Sequence, residues 1–378
     1  MSHNAVPQQS AQARSVPFEL VRISAAILVV IGHFSFSSHS VGRTEMYSSL
    51  LSPASRYFYV TVDIFFVVSG YFIMMTALGR DWRSFTIARF ARLYPPLIAC
   101  ATITFLGCRI LSAYSHRSIG VLDWLGNITG LILIPGLGQK IQVADVVYWT
   151  IQIEWVFYAL VGIGLALGLV QLRLMAAFIV VGVITTIISR FTTGFSIVLF
   201  ATQWLSRFAV GGILFVLSRE PRSRVAWALF AGAVMLMLVG VWQRAVERVH
   251  LEYTVFNPWI SCTIMSIATA VLTFFALHPV QKVRPLTEFA GGVTFPLYLL
   301  HHQLGCAISR ALGLGDSVAA VLGMTAGMLV LASLVHGAIE RPLVPRLRRV
   351  LNALFLPRQA LISPAASPLP VATRNEGP

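Results

Sequence analysis

The stretch RISAAILVVIGH at residues 22–33 carries an arginine at one end, a histidine at the other and a mostly apolar run between them. In an α-helix that separation is close to three turns, so Arg22 and His33 share a face about 16 Å apart along the axis. Histidine titrates near neutrality and takes a proton from a hydroxyl as a general base. Arginine stays charged, and its planar fork matches phosphate oxygens. Further ionisable groups stand in apolar surroundings: Asp63 in VTVDIFFVVSGYF, Glu154 in YWTIQIEWVFY, and Arg89 and Arg92 in RFARLYPP. The two arginines project from one side of a helix and have the spacing of a phosphate clamp. A carboxylate at Glu154 or Asp63 has the chemistry to orient His33 and stabilise its protonated form. Each group also has a structural use. Asp63 can pair with a neighbour or cap a helix, Glu154 can fix packing, Arg22 can snorkel to lipid heads, and the arginine pair can set topology.

These side chains need a scaffold, and composition names it. Of 378 residues 57% are hydrophobic and only 11% charged, against about a quarter charged in soluble proteins. Mean hydropathy is +0.78. Apolar runs of membrane-spanning length recur along the chain, which predicts an all-α polytopic membrane protein. The runs are continuous rather than alternating, which excludes a membrane barrel. The expected architecture is a bundle of about ten transmembrane helices, at about 18–38, 57–78, 94–112, 146–168, 171–190, 195–217, 225–242, 258–279, 289–310 and 317–338.

The segment 121–138 is short, holds Asp123 and Asn127, and ends in Pro and Gly. With the N-terminus cytoplasmic and 121–138 re-entrant or interfacial, most basic clusters fall on the cytoplasmic side, among them Arg80 to Arg92, Arg219 to Arg224 and Arg341 to Arg349. If 121–138 crossed, those clusters would face outward. The favoured topology puts His33, Asp63 and Glu154 in the outer half and Arg22 with RFARLYPP at the inner edge.

The net charge of +14 is spread over short loops, which fits anionic lipid heads rather than nucleic acid. Cys100, Cys108, Cys262 and Cys306 lie in or beside apolar runs and read as core-filling residues rather than a disulfide or metal site. No cleavable signal peptide is expected, because the first run lacks a basic n-region and a small-residue cleavage site. Residues 1–16 read as a disordered cytoplasmic N-terminus, 17–350 as the membrane domain and 351–378 as a flexible, Pro-rich cytoplasmic tail. No internal repeat is visible, which weighs against a transporter built on inverted repeats. In PLYLLHH, His301 and His302 fall mid-span, and ERPL at 340–343 reads as an acid–base pair ending the last span before a helix-stopping proline.

Taken together, FELVRISAAILVVIGH, VDIFFVVSGYFI, RFARLYPP, YWTIQIEWVFY, PLYLLHH and IERPL resemble, in this order and spacing, the acyltransferase-3 family of integral membrane O-acyltransferases. The resemblance covers about 17–345, with Glu19 where Asp is commoner and Ile23 where glycine often follows the arginine. It implies a stand-alone member, without the hydrolase-like domain fused to some relatives, in a bacterial inner membrane with both termini cytoplasmic. The implied activity is transfer of an acetyl group from cytoplasmic acetyl-CoA to a hydroxyl of a cell-surface or exported glycan. An exopolysaccharide or lipid-linked repeat unit is the favoured acceptor, and a lipo-oligosaccharide or small secondary metabolite the alternative. Contact with polysaccharide assembly or export machinery follows from that acceptor; no metal is called for.

The resemblance supports His33 most as the catalytic base and Glu154 next; Asp63 as its direct partner is inferred from depth. Coenzyme A phosphates would dock on Arg89, Arg92 and Arg22, and the Arg22–His33 separation is comparable to an extended pantetheine arm. Direct transfer and a covalent acyl-His33 relay both remain open. A polytopic transporter or flippase is the rival class, since histidines and carboxylates also relay protons through helix bundles.

Overall fold

Helix α1 (Val16–Gly32) is a mostly apolar run that carries Glu19 and Arg22 near its start, and at its end the chain widens into a π-helical turn, His33–Ser37. Such turns are rare and concentrate at functional sites. A Cβ on Gly32 would lie 3.0 Å from the Phe58 side chain and 3.2 Å from the Ser55 carbonyl oxygen. Glycine therefore lets the following loop close against the end of α1.

The computed structural model describes residues 16–356 apart from 116–118, 131–140, 170, 189–196, 253–255 and 281–283. The expected disordered N-terminus up to residue 15 and the tail from 357 onward lie outside the described residues. After α1 come α2 (Thr61–Ala77), α3 (Trp82–Ile110), α4 (Val121–Thr129), α5 (Trp149–Ala166), α6 (Gln171–Ile188) and α7 (Leu205–Arg219). Then follow α8 (Arg224–Glu252), α9 (Pro258–Leu277), α10 (Arg284–Leu300), α11 (Gln303–Ala311), α12 (Val318–Val335) and α13 (Arg341–Phe355). Among the described residues 8 helices are long and apolar enough to cross a membrane, and the shorter apolar helices Leu172–Ile188 and Phe289–Leu300 stand where the other two expected spans lie. The chain is an all-α membrane protein.

Helix α7 is the hub: 89% of its apolar window is buried, against 22% for α8 and 28% for α9. Those two turn large apolar side chains outward, as lipid-facing helices do. The tightest contact joins α2 and α7. A Cβ on Gly70 would run into the Phe208 backbone, and one on Gly211 into the Val67 backbone. Small residues at a crossing let backbones touch, which is how membrane helices gain packing energy without a hydrophobic driving force.

Three local expectations are corrected. Helix α3 starts at Trp82 and runs through Pro95 and Pro96, so these prolines do not mark the mouth of a span that starts at 94. Membrane helices tolerate such prolines where neighbours re-satisfy the freed carbonyls. His301 and His302 are not mid-span; they form the turn between α10 and α11. Nor does Pro342 stop the last span: α12 passes through a π-helical turn, His336–Glu340, straight into α13, so Pro342 lies within one helical run, Val318–Phe355, where the local π adjustment tolerates it. Glu340 bonds His336 there (Nδ1–Oε2 3.0 Å) rather than Arg341, and α13 runs to Phe355.

In the 121–138 segment, α4 covers Val121–Thr129 and ends at Gly130 in the left-handed region, φ 75°. Its nine residues extend about 13 Å, less than half a bilayer core. Asn127 donates to the Gln142 carbonyl and accepts from the Ala144 N–H, while Asp123 accepts from the Gln142 N–H. These bonds explain why two polar residues sit in so apolar a stretch. Residues 131–138 lie outside the described residues.

Candidate functional site

Helix α1 supplies both ends of the candidate site. At the Arg22 end, the guanidinium lies 3.7 Å from the buried Glu19 carboxylate. Glu154 of α5 accepts a hydrogen bond from Ser69 of α2 at 3.3 Å. Arg22, Ser69 and Glu154 line a small cavity of about 50 Å³ together with Val62 and Tyr298. Arg22, Glu154 and Arg92 are within charge–charge range of one another, and Arg89 is within range of Glu154. Arg89 is buried at 9% exposure, donates to the Thr76 hydroxyl, and packs against the Phe85 and Tyr158 rings at 5.7 and 5.8 Å. Arg92, one turn on, is half-buried. Three arginines and two carboxylates, Glu19 and Glu154, thus gather at this end, a net positive cluster that can hold an anion.

The His33 end is built differently. The His33 ring stands 4.7 Å from the His302 ring, edge to face, and 5.2 Å from the His301 ring. His302 Nδ1 bonds Asp145 at 2.8 Å, and the second Asp145 oxygen accepts from the Gln303 N–H at 2.6 Å. Arg43 donates to His302 Nε2 at 3.1 Å. With an acceptor carboxylate on one side and a guanidinium donor on the other, His302 is fixed as the neutral Nδ1–H tautomer. Burial pushes the Asp145 carboxyl up, but the His302 imidazole and the Gln303 N–H outweigh it and hold the group below the ordinary carboxylate range. His301 donates to the Tyr298 carbonyl (2.8 Å). His301 Nε2 and His33 Nδ1 are buried without a hydrogen-bond partner among the described residues. A cavity of about 410 Å³ opens here, lined by His33, Arg43, Arg56, Tyr59, Arg244 and Arg248 among others. Val62 and Tyr298 line this cavity as well as the small one.

The expected partners of His33 lie elsewhere. Asp63 accepts from Arg207 Nε at 3.1 Å and from Arg244; it is fully buried and locks α2 to α7 and α8 instead of orienting the histidine. Gly240 leaves the room this needs, since a Cβ there would strike the Arg207 guanidinium. Glu154 belongs with Arg22, because both line the smaller cavity and lie within charge–charge range of each other. The carboxylate linked to His33, through His302, is Asp145. In the sequence Asp145 looks like a cap at the start of an apolar run, and it is one, accepting from the Val147 N–H at 3.2 Å. Arg207 and Arg244 carried a fainter signal: each is a charge set in an apolar run, LSRFAV and VWQRAV.

The family model for the acyltransferase domain matches residues 17–337, from the start of α1 to the π turn after α12. The chain belongs to the acyltransferase-3 family. A curated relative, the O-acetyl transferase of Shigella phage Sf6, is 27% identical over 179 residues, which is 43% of this chain and 49% of the relative. The chain thus spans about half the length of the curated relative it matches. No solved structure matches. Both ends of α1, the arginine cluster and the Asp145–His302 pair all fall inside the acyltransferase domain.

Proposed function

We propose that this acyltransferase-3 protein moves an acetyl group from cytoplasmic acetyl-CoA to a hydroxyl of a cell-surface or exported glycan, with an exopolysaccharide or lipid-linked repeat unit as the acceptor. The observation that carries this reading is the pair of cavities that share Val62 and Tyr298 as walls, one holding Arg22 and Glu154 and the other His33. They lie along α1 over the length of an extended pantetheine arm, about 16 Å.

Arg89, Arg92 and Arg22 hold the donor phosphates on the cytoplasmic side, and Glu154 balances the arginine charge at the neck. The thioester carbonyl reaches the larger cavity from that neck, and the acceptor hydroxyl enters from the outer side. His33 takes the hydroxyl proton as the oxygen attacks the carbonyl carbon; the tetrahedral intermediate collapses, the C–S bond breaks, and the thiolate leaves and takes up a proton. His302, fixed by Asp145 and Arg43, braces the His33 ring edge-on and is a positioning residue. The name of the phage relative, O-acetyl transferase, supports acetyl as the group moved. The placement is a bacterial inner membrane with both termini cytoplasmic.

Transfer from labelled acetyl-CoA in proteoliposomes, with surface glycans analysed by mass spectrometry, tests the reading. His33→Ala lowers the rate by at least about a hundredfold, the usual contribution of a general base. Arg89→Ala/Arg92→Ala raises KM for acetyl-CoA. A near-normal rate without His33 removes the base, and unchanged donor affinity without both arginines removes the clamp.

A further inference from the structure

His301 is an imidazole to which the proposed reaction gives no part. It is fully buried, flanked by the Phe34 and Tyr298 rings at 6.5 and 5.6 Å, and does not line the larger cavity. Its Nδ1 lies 2.8 Å from the Tyr298 carbonyl oxygen. A carbonyl only accepts, so Nδ1 carries the proton. A second proton on Nε2 would bury a cation with no carboxylate to bond it, since Asp145 is taken by His302 and the Gln303 N–H. Nε2 is therefore a lone-pair acceptor, and it has no partner among the described residues.

His33 has the complementary need. Its ring lines the larger cavity, and its buried nitrogen is Nδ1, which leaves Nε2 to meet an acceptor hydroxyl. To take a proton there, the neutral ring must hold its own proton on Nδ1. That N–H is then a buried donor, and without an acceptor it disfavours the very tautomer a base needs. His302 cannot accept it: Asp145 and Arg43 engage both of its nitrogens, and its ring meets His33 edge to face. Arg43 and Arg248, charged groups within range of His33, only donate.

His301 can accept. Two imidazoles joined by an N–H···N bond of ordinary length have centroids roughly 5 Å apart. The His33 and His301 centroids are 5.2 Å apart, with the planes tilted by 52°. The spacing is that of a bond, so rotation of the rings about their side-chain torsions, without backbone movement, brings a lone donor onto a lone acceptor.

We infer that His301 is the residue that sets the tautomer of His33: its Nε2 accepts the His33 Nδ1–H and leaves His33 Nε2 free as the base. The inference rests on the reading of His33 as general base. When His33 Nε2 takes the hydroxyl proton, the imidazolium keeps its Nδ1–H on His301, and no proton passes to His301. His301 does not touch substrate; it is a positioning residue, filling with a neutral acceptor the place a carboxylate takes in a catalytic triad. The Tyr298 carbonyl fixes His301 in turn, and the Tyr298 side chain lines both cavities. The tautomer of the base is thereby tied to the neck between donor and acceptor.

The test reads the tautomer directly. The full chain, carrying isotope-labelled histidine, is reconstituted in proteoliposomes without acyl donor and followed by solid-state nitrogen NMR. The His33 signals are identified by their loss in His33→Asn. His33 is expected to show a protonated Nδ1 and a bare Nε2, with a coupling from His33 Nδ1 to His301 Nε2. His301→Leu removes the acceptor and moves His33 toward the Nε2–H tautomer. In the transfer assay His301→Leu lowers kcat by about tenfold or more and leaves KM for acetyl-CoA unchanged. His301→Gln, whose side-chain oxygen stands near the position of Nε2, recovers most of that loss.

A bare Nδ1 on His33 in the unsubstituted protein overturns the inference. So does a His33 tautomer that His301→Leu leaves unchanged, or an equal loss of kcat in the Leu and Gln variants. If His301→Leu does not fold, the spectrum of the unsubstituted protein decides. Near-normal transfer by His33→Ala removes the base reading, whatever the spectra show. Transfer that depends on His33 while its tautomer ignores His301 removes only the role of His301.

Discussion

His302 shows how much one side chain's neighbours decide. Its ring touches His33, yet both of its nitrogens are spoken for, by Asp145 and Arg43. It cannot itself take a proton from a substrate while those bonds hold; it holds His33 in place. Asp145→Asn keeps the shape but replaces the acceptor of the His302 Nδ1–H with an amide that can turn a donor toward it. The expected result is a fall in kcat of about tenfold, with KM for acetyl-CoA unchanged. Misfolding would instead lower the yield of monodisperse protein on size exclusion, so kcat per folded protein distinguishes the two. His33 and Arg22 stand out in the sequence by type and spacing, and each lines a cavity. Their partners do not stand out, because hydrogen bonds such as His302–Asp145 and Arg43–His302 join residues 157 and 259 positions apart.

Helices α2, α7 and α8 form a unit held by two kinds of contact, and each has its own test. Asp63 neutralises Arg207 and Arg244 inside the bundle. Removing the shared acid strands two buried guanidinium groups, so Asp63→Ala costs about 3–5 kcal/mol, read as a lowered midpoint of thermal unfolding in detergent. The backbone contact at Gly70 and Gly211 has no slack. Gly211→Leu is expected to prevent α2 and α7 from closing, seen as loss of monodisperse protein on size exclusion, while Gly232→Leu on the open side of α8 is tolerated. Apolar run lengths foretold these helices well. They could not foretell which of them is central: the span containing α9 has the higher mean hydropathy, 2.1 against 1.4 for the span containing α7, yet α7 is the buried one.

Across the protein the two ends of the bundle carry different chemistry: arginines with Glu154 at one, histidines with Asp145 and the arginine-lined cavity at the other. The acetyl-transfer reading needs these ends on opposite sides of the membrane, and cysteine labelling reads this directly. Leu50 is exposed near the His33 end, and Phe355 is exposed at the end of α13. The native cysteines Cys100, Cys108 and Cys306 are buried, leaving Cys262 to be replaced by Ala in the background. Leu50→Cys is expected to react with a membrane-impermeant maleimide in intact cells, and Phe355→Cys only after the membrane is opened. The reverse pattern would put the donor cluster outside, away from cytoplasmic acetyl-CoA.

Membrane residence, the span pattern, the Arg22–His33 face and the resemblance that proved to be family membership all followed from the order of residues along the chain. Each of these is a local property, set by apolar run length and the 3.6-residue period of a helix. The placement of Asp63 with Arg207 and Arg244, of Glu154 with Arg22, and of Asp145 behind His302 depended on how helices rotate and cross. So did the convergence of four arginines on one cavity. RISAAILVVIGH marks a line through the bundle; the close approach of backbones at glycines and the pairing of buried charges fix which side chains meet that line and at what depth.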